Sequence, residues 1–198
     1  MRLSAARIMV VNRPSAALFR LAAPACALVV ALWLFLLLVS PYVVTHAPPG
    51  GALFGAGGSV YLAGRVVCHQ RAERSFHAWG AQLPVCARCI GIYAGALLGS
   101  LLAVWGSARR SAGPVSPPPA GAQRGHPPDW RVRLAIAALP TAGSVGLELA
   151  GIWAQSPRLR CVAAIPLGFT AAWFVGMHAA EVVARMFPGL SAAGTYSP

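Results

Sequence analysis

Read by hydropathy, the chain alternates four long apolar runs with short arginine-bearing or proline-rich segments. The runs are 21–44, 89–105, 132–153 and 159–183. At 1.5 Å per helical residue, each is long enough to cross roughly 30 Å of hydrocarbon, with tilt or flanking residues absorbing the differences. The expected fold is therefore all-α, an integral membrane bundle of four transmembrane helices. The first run follows Arg2, Arg7, Arg13 and Arg20 and invites comparison with a signal peptide. Its apolar length well exceeds the ~7–15 residues of a signal h-region, which makes it an uncleaved anchor. Pro24, Pro140 and Pro166 fall inside spans, where neighbouring helices can satisfy the carbonyls they free.

The segments between the runs divide the chain. Residues 1–20 form an Arg-rich N-terminus, 21–187 a single helical membrane domain, and 188–198 a small polar tail expected to be disordered. Within the domain, 107–130 carries Ser116-Pro117-Pro118-Pro119 and His126-Pro127-Pro128 and reads as an extended loop. Residues 51–89 connect the first two spans. Their first part, 51–67, has five glycines and ends near Arg65, so it reads as an interfacial segment rather than a fifth span.

That choice sets the orientation, because cytoplasmic loops carry the excess of Arg and Lys. With four spans and a cytoplasmic N-terminus, ten of the sixteen arginines lie inside; with five spans, a different ten do. The count is tied. Segment length and the glycines favour four spans in the cell inner membrane, with both termini cytoplasmic and the 51–89 loop outside.

Composition agrees with a bilayer environment. Hydrophobic residues make up 57 % of the 198 positions and charged residues 10 %, a balance far from that of a soluble domain. The formal charge of +12 comes from arginine alone against four acids, since lysine is absent. No basic stripe with interleaved aromatics accompanies it, which argues against nucleic-acid binding. The lipid bilayer is the one partner the sequence specifies; a homo-oligomer or a second membrane protein is left open. Nothing resembles the paired broken helices or inverted repeats of a transporter.

The chemistry concentrates between the first two spans, in Cys68-His69-Gln70, Glu73-Arg74-Ser75-Phe76 and Leu83-Pro84-Val85-Cys86-Ala87-Arg88-Cys89. A Cys-x-x-Cys pair opening a helix places both sulfurs near unpaired N–H groups and the positive end of the dipole, and Arg88 adds a cation. Thiolate, the form that binds metals and attacks disulfides, is favoured there. Cys68 and His69 bring two further donors, and zinc takes sulfur and imidazole nitrogen in sets of four. The metal set expected is Cys68, His69, Cys86 and Cys89, with His77 a weaker substitute for His69. Zinc is the expected ion and iron the less favoured one. Haem attachment is excluded because Ile90 follows Cys89. Cys26 and Cys161 read as packing residues.

Those strings, running into Gly91-Ile92-Tyr93-x-Gly95, resemble the signature of an uncharacterised family of predicted bacterial and archaeal membrane proteins. The resemblance is close over roughly residues 55–105 and rests on hydropathy elsewhere. Ala72 and Ile90 stand where the family often has Pro and a Thr or Ser. The family often carries an acidic residue in its third span and Asn-x-x-Arg entering its last; here Glu148 and Arg160 fill those places, and Pro157 replaces the Asn. The resemblance implies a fold and a site, and no activity.

Glu148 lies inside the third span, where a lone carboxylate costs ~2.5–3.5 kcal/mol on insertion scales, so it should face the bundle or a wet cavity. Arg88, Arg158 and Arg160 are the expected partners, and Arg74 joins Glu148 and Arg160 as a further functional candidate. His178, Glu181 and Arg185 share one helical face as an expected interfacial cluster. Gly91, Gly95 and Gly99 form a small-xxx-small face for close helix packing.

Two functions follow. One is a membrane protein with a metal site, structural or sensing. The other is a thiol–disulfide oxidoreductase, resembling in layout the quinone-linked four-helix enzymes of disulfide formation and vitamin K reduction. In that reading Cys86 and Cys89 are the redox pair, Cys68 a resolving thiol, and Arg88 the tuner of a thiolate or quinone. Whether the chain is an enzyme is not decided by its sequence.

Overall fold

The computed structural model describes residues 16–112, 129–153 and 156–186, with side chains described over most of that range. The expected tail at 188–198, the proline cluster at 116–119 and the side chains of His178, Glu181 and Arg185 lie outside it. The elements in chain order are α1 (Ala16–His46), α2 (Ala52–Val67), a 3-10 turn (Ala72–Arg74), β1 (His77–Ala78), β2 (Ala81–Gln82), α3 (Ala87–Ala112), α4 (Trp130–Leu149) and α5 (Pro157–Met186). Among the described residues, four helices are long and apolar enough to cross a membrane: α1, α3, α4 and α5. The fold is an all-α membrane bundle.

Caps set several of the boundaries. Asp129 caps α4 by accepting from the Arg131 N–H at 3.3 Å. Ser156 stands before Pro157 at the first position of α5, and its Oγ lies 3.4 Å from the Leu159 N–H. At the other end of α4 the helix stops at Leu149, four residues short of the expected Trp153. Gly151 there takes φ +68°, while the Ile152 N–H bonds to the Leu147 carbonyl and the Gly151 N–H to the Glu148 carbonyl. This six-to-one and five-to-two pairing is a glycine-terminated Schellman stop. Glu148 consequently sits in the last turn of α4, nearer the membrane surface than its place in a 132–153 span suggested.

The closest packing joins α3 and α5, which run parallel. A Cβ on Gly91 would run into the Cys161 carbonyl, one on Gly95 into that of Ile165, and one on Gly99 into that of Phe169. From the other side, a Cβ on Gly168 would meet the Ile92 carbonyl. The small-residue face of α3 therefore packs within the chain, backbone against backbone. Helix α1 lies antiparallel on α3 through Leu37 and an edge-on contact of Trp33 with Tyr93. Helix α4 packs chiefly on α5, where Thr141 Oγ1 donates to the Ala163 carbonyl at 2.9 Å. Outward-facing Leu28, Leu32, Phe35, Leu98, Leu101, Ile136, Leu139 and Val162 are exposed, as expected for a surface solvated by acyl chains.

The two ends of the bundle differ. At one, Arg109 lies over Trp105 and Arg133 over Trp173, an amphipathic band of the kind found at membrane interfaces. At the other, α2 and the loop to α3 fold back against the end of α1. The sixteen residues of α2 reach only ~24 Å at 1.5 Å each, too short for a span. Tyr42 stacks on His46 and meets Trp79 of the loop edge-on.

The α3–α5 contact leaves no room for a side chain at Gly95, whereas Gly143 on α4 faces open space. Gly95→Leu should lower the thermal unfolding midpoint of the detergent-solubilised protein, with an overpacking cost of at least ~1–3 kcal/mol. Gly143→Ala should leave it essentially unchanged or raise it slightly. Equal tolerance at both positions would show that α3 and α5 do not pack through this face.

Candidate functional site

Helix α2 ends at Cys68, whose N–H bonds to the Gly64 carbonyl at 2.9 Å and whose backbone is extended (φ −145°, ψ 138°). Extended backbone sends successive side chains to opposite sides. Cys68 is accordingly buried and His69 exposed. Gln70 then turns the chain with φ 51°. Its amide donates to the carbonyls of Tyr61 and Pro84, each at 2.7 Å. The Gln82 amide in turn donates to the Gln70 carbonyl at 2.7 Å and to Ser75 Oγ at 3.2 Å. Tyr61 closes the circuit by donating its hydroxyl to the Gln82 carbonyl.

Between these anchors β1 and β2 form a hairpin in the register His77↔Gln82 and Ala78↔Ala81. Its two-residue turn, Trp79-Gly80, has positive φ at both positions (51° and 77°), the primed geometry that suits strand twist. Leu83, Pro84 and Val85 are buried and deliver the chain to α3.

Cys86 is the N-cap of α3: its carbonyl accepts from the Ile90 N–H at 3.1 Å. Its own N–H donates to Cys68 Sγ at 3.1 Å. Cys89, three residues on, brings its sulfur to 3.7 Å from that of Cys86. All three sulfurs lie within 4.8 Å of one another, against a core of Leu37, Leu83, Val85 and Ile90. The Cys86 thiol is held well below its ordinary value, at about 5. Hydrogen bonding from the Cys89 thiol is the main cause, and the N–H groups of Cys89 and Arg88 add to it against the opposing effect of burial.

The donor set fits a soft metal ion. With Zn–S bonds of ~2.3 Å, two sulfurs of a tetrahedral centre stand about 3.8 Å apart. The Cys86–Cys89 separation of 3.7 Å matches that edge.

A second cluster occupies the same end of the bundle. Glu148 receives Arg74 Nη2 at 3.1 Å and Arg160 Nη2 at 3.0 Å on one oxygen, and Arg88 Nη2 at 2.6 Å on the other. Arg88 also approaches Ser144 Oγ and the Ser144 carbonyl, both at 3.4 Å, while Arg160 Nη1 donates to the Glu73 carbonyl at 3.2 Å. Side-chain exposure rises from 7 % at Arg160 and 15 % at Arg88 to 35 % at Arg74, so the cluster opens towards solvent on the Arg74 side.

Of the expected metal set, Cys68, Cys86 and Cys89 come together, while His69 and His77 are exposed and lie outside the group. Cys161 packs against the same core from α5, and Cys26 is remote in α1. Of the expected Glu148 partners, Arg88 and Arg160 make the contact, Arg74 is added to them, and Arg158 is exposed. Sequence reasoning assigned no role to Gln70, Ser75 and Gln82. Their signal was three uncharged polar side chains in a loop otherwise closing on apolar Leu83-Pro84-Val85.

These features define a multi-pass helical membrane protein with a three-thiol cluster at one end of its bundle. Residues 68–174, just over half of the chain, match the family described as predicted membrane protein (DUF2085), and the chain belongs to it. An uncharacterized protein of Methanocaldococcus jannaschii is 44 % identical over 43 residues, covering 22 % of this chain and 28 % of that protein. An uncharacterized protein of Methanothermobacter thermautotrophicus is 53 % identical over 32 residues, covering 16 % of this chain and 29 % of its own length. The chain thus spans less than a third of either relative in these matches. No solved structure matches.

The depressed Cys86 pKa gives a pH test. In reduced, chelator-treated protein, alkylation of Cys86 should stay fast below the ordinary thiol pKa of ~8.5 and decline only as pH falls through about 5. The thiolate's contribution to stability is complete above the unfolded-state value and is lost as pH drops through the folded one. An alkylation rate that already collapses just below pH ~8.5, as for an ordinary thiol, would contradict the geometry.

Proposed function

We propose that the chain holds a metal ion on Cys68, Cys86 and Cys89 at the extracytoplasmic surface of the cell inner membrane, as a structural or sensing site. The observation that carries this reading is the gathering of three sulfurs within 4.8 Å from two segments eighteen residues apart. Thiolates favour soft or borderline ions, with zinc preferred over iron for a redox-silent site. Bound metal would pin the end of α2 to the start of α3. Three protein donors leave the fourth position to an external ligand, or to His69 after reorientation. With α2 too short to span, the termini and the end bearing Arg109, Arg131 and Arg133 fall on one side of the membrane, which this reading takes as the cytoplasm.

A second reading draws on the low Cys86 pKa and the Cys86–Cys89 proximity. As a redox pair, the two thiols would release two protons and two electrons on forming a disulfide, and a quinone would take them up as quinol. Closure needs the sulfurs to move from 3.7 Å to ~2.05 Å.

Elemental analysis of the full chain, purified without chelator under reducing conditions, separates the readings. The metal reading expects about one zinc per chain, lost with Cys68→Ser, Cys86→Ser or Cys89→Ser and kept with Cys26→Ala or Cys161→Ser. Retention in His69→Ala would establish a three-thiol set, and loss would restore His69 as the fourth ligand. Metal-free protein whose Cys86 and Cys89 cycle with a quinone would replace the metal reading by the redox one.

Orientation has its own measurement. In intact cells a membrane-impermeant thiol reagent should label a cysteine introduced at exposed Trp79 without permeabilisation. Labelling only after permeabilisation would reverse the assignment.

A further inference from the structure

We propose that Arg74, Arg88 and Arg160 form a binding site for a phosphate group at the membrane surface, with Glu148 positioning the guanidinium groups rather than neutralising them. Three guanidinium groups converge on one carboxylate, which leaves an excess of two positive charges in a largely buried cluster. The nearest other acid, Glu73, does not supply the difference: its carboxylate is exposed and faces Arg71 at 3.9 Å, and only its backbone carbonyl reaches Arg160. A buried excess of this kind calls for an anion.

Donor accounting leads to the same place. Each guanidinium offers five N–H groups in a planar fork. The acceptors around them are the two Glu148 oxygens, Ser144 and the Glu73 carbonyl. Arg160 is 6 % exposed, and its Nε is buried with no acceptor among the described residues. Forked donors that exceed their acceptors suit the several oxygens of a phosphate, which takes parallel N–H bonds from more than one arginine.

Access and location define the source of the phosphate. Arg74 is the most exposed of the three and stands on the 3-10 turn of the loop at the bundle end. A phospholipid headgroup would meet the cluster at that level, and so would a free phosphate from the aqueous side. Both present the same tetrahedral oxyanion. The inference does not depend on whether the thiols hold metal.

The test uses the full chain, delipidated in neutral detergent, with thermal unfolding as the readout. Inorganic phosphate is titrated against chloride at equal ionic strength, and phosphatidylglycerol against phosphatidylcholine in mixed micelles. The expected result is stabilisation by phosphate or by phosphatidylglycerol beyond its control, with the apparent affinity weakened roughly tenfold in Arg74→Gln, the scale of one lost charge-assisted hydrogen bond. Arg74→Lys should fall between, since it keeps the charge and loses the fork. Arg71→Gln and Cys26→Ala should bind as the parent does. Stabilisation by free phosphate assigns a soluble phosphate ligand, and stabilisation by the lipid alone assigns a headgroup; either supports the site. If Arg74→Gln does not fold, the Arg74→Lys and Arg71→Gln pair decides. No shift beyond chloride and phosphatidylcholine, or a shift unaltered by substitution at Arg74, overturns the proposal.

Discussion

The carboxylate of Glu148 is where separate segments of this bundle meet. It belongs to the last turn of α4 and receives guanidinium groups from the 3-10 turn, from α3 and from α5. Helix α4 has little else: apart from Ala137 and Ser144 its residues are exposed or half-buried. In lipid, apolar exposure gives no force holding α4 to its neighbours, and polar contacts between helices matter correspondingly more. Deleting one partner of a buried charge cluster costs ~3–5 kcal/mol, because the remaining charges stay desolvated. The exposed Arg71–Glu73 pair, at 3.9 Å, belongs to the class worth ~0–1 kcal/mol. The contrast decides which ion pair organises the fold.

Arg88 makes that cluster and the thiol cluster parts of one construction. Cys86, Arg88 and Cys89 occupy the N-cap and first turn of α3, where successive side chains fan out by about 100° per residue. The thiols turn towards Cys68 and the apolar core of Leu37 and Val85, and the guanidinium turns towards α4. One helical turn therefore serves two faces of different chemistry.

The spans were legible because continuous apolar length is a direct consequence of hydrocarbon thickness, and α1, α3, α4 and α5 all fall where the runs do. Boundaries were less so. Residues 150–153 continue the hydropathy of α4, and only the positive φ at Gly151, a backbone property, ends the helix before them. The Cys-x-x-Cys pair and Cys68 could be read as one site from spacing and residue type. His69 could not be placed, because adjacency to Cys68 says nothing of facing until the backbone is known to be extended there. Arg74 was visible as a charge in the loop, yet its convergence on Glu148 from 74 residues away along the chain is a tertiary fact. The Gln70–Gln82 circuit was hidden for the same reason, since each amide bonds to backbone carbonyls that composition does not mark.

What fixes the spacing between the two clusters is the absence of side chains. Gly91 lies two residues beyond Cys89 and packs on the carbonyl of Cys161, which follows Arg160. The contact repeats at Gly95 and Gly99 against Ile165 and Phe169, and Gly168 answers from α5. Because the glycines and the carbonyls they meet both repeat every four residues, a sliding of α3 along α5 by one helical turn, ~5.4 Å, would bring the glycines onto equivalent carbonyls. It would, however, move Arg88 off Glu148 and Cys89 away from the loop-borne Cys68. The stripe therefore sets how closely the two helices approach, and the single contacts of Arg88 with Glu148 and of Cys86 with Cys68 select the height at which they do so. The first turn of α3 can then meet the Gln70-braced loop on one side and Glu148 on the other.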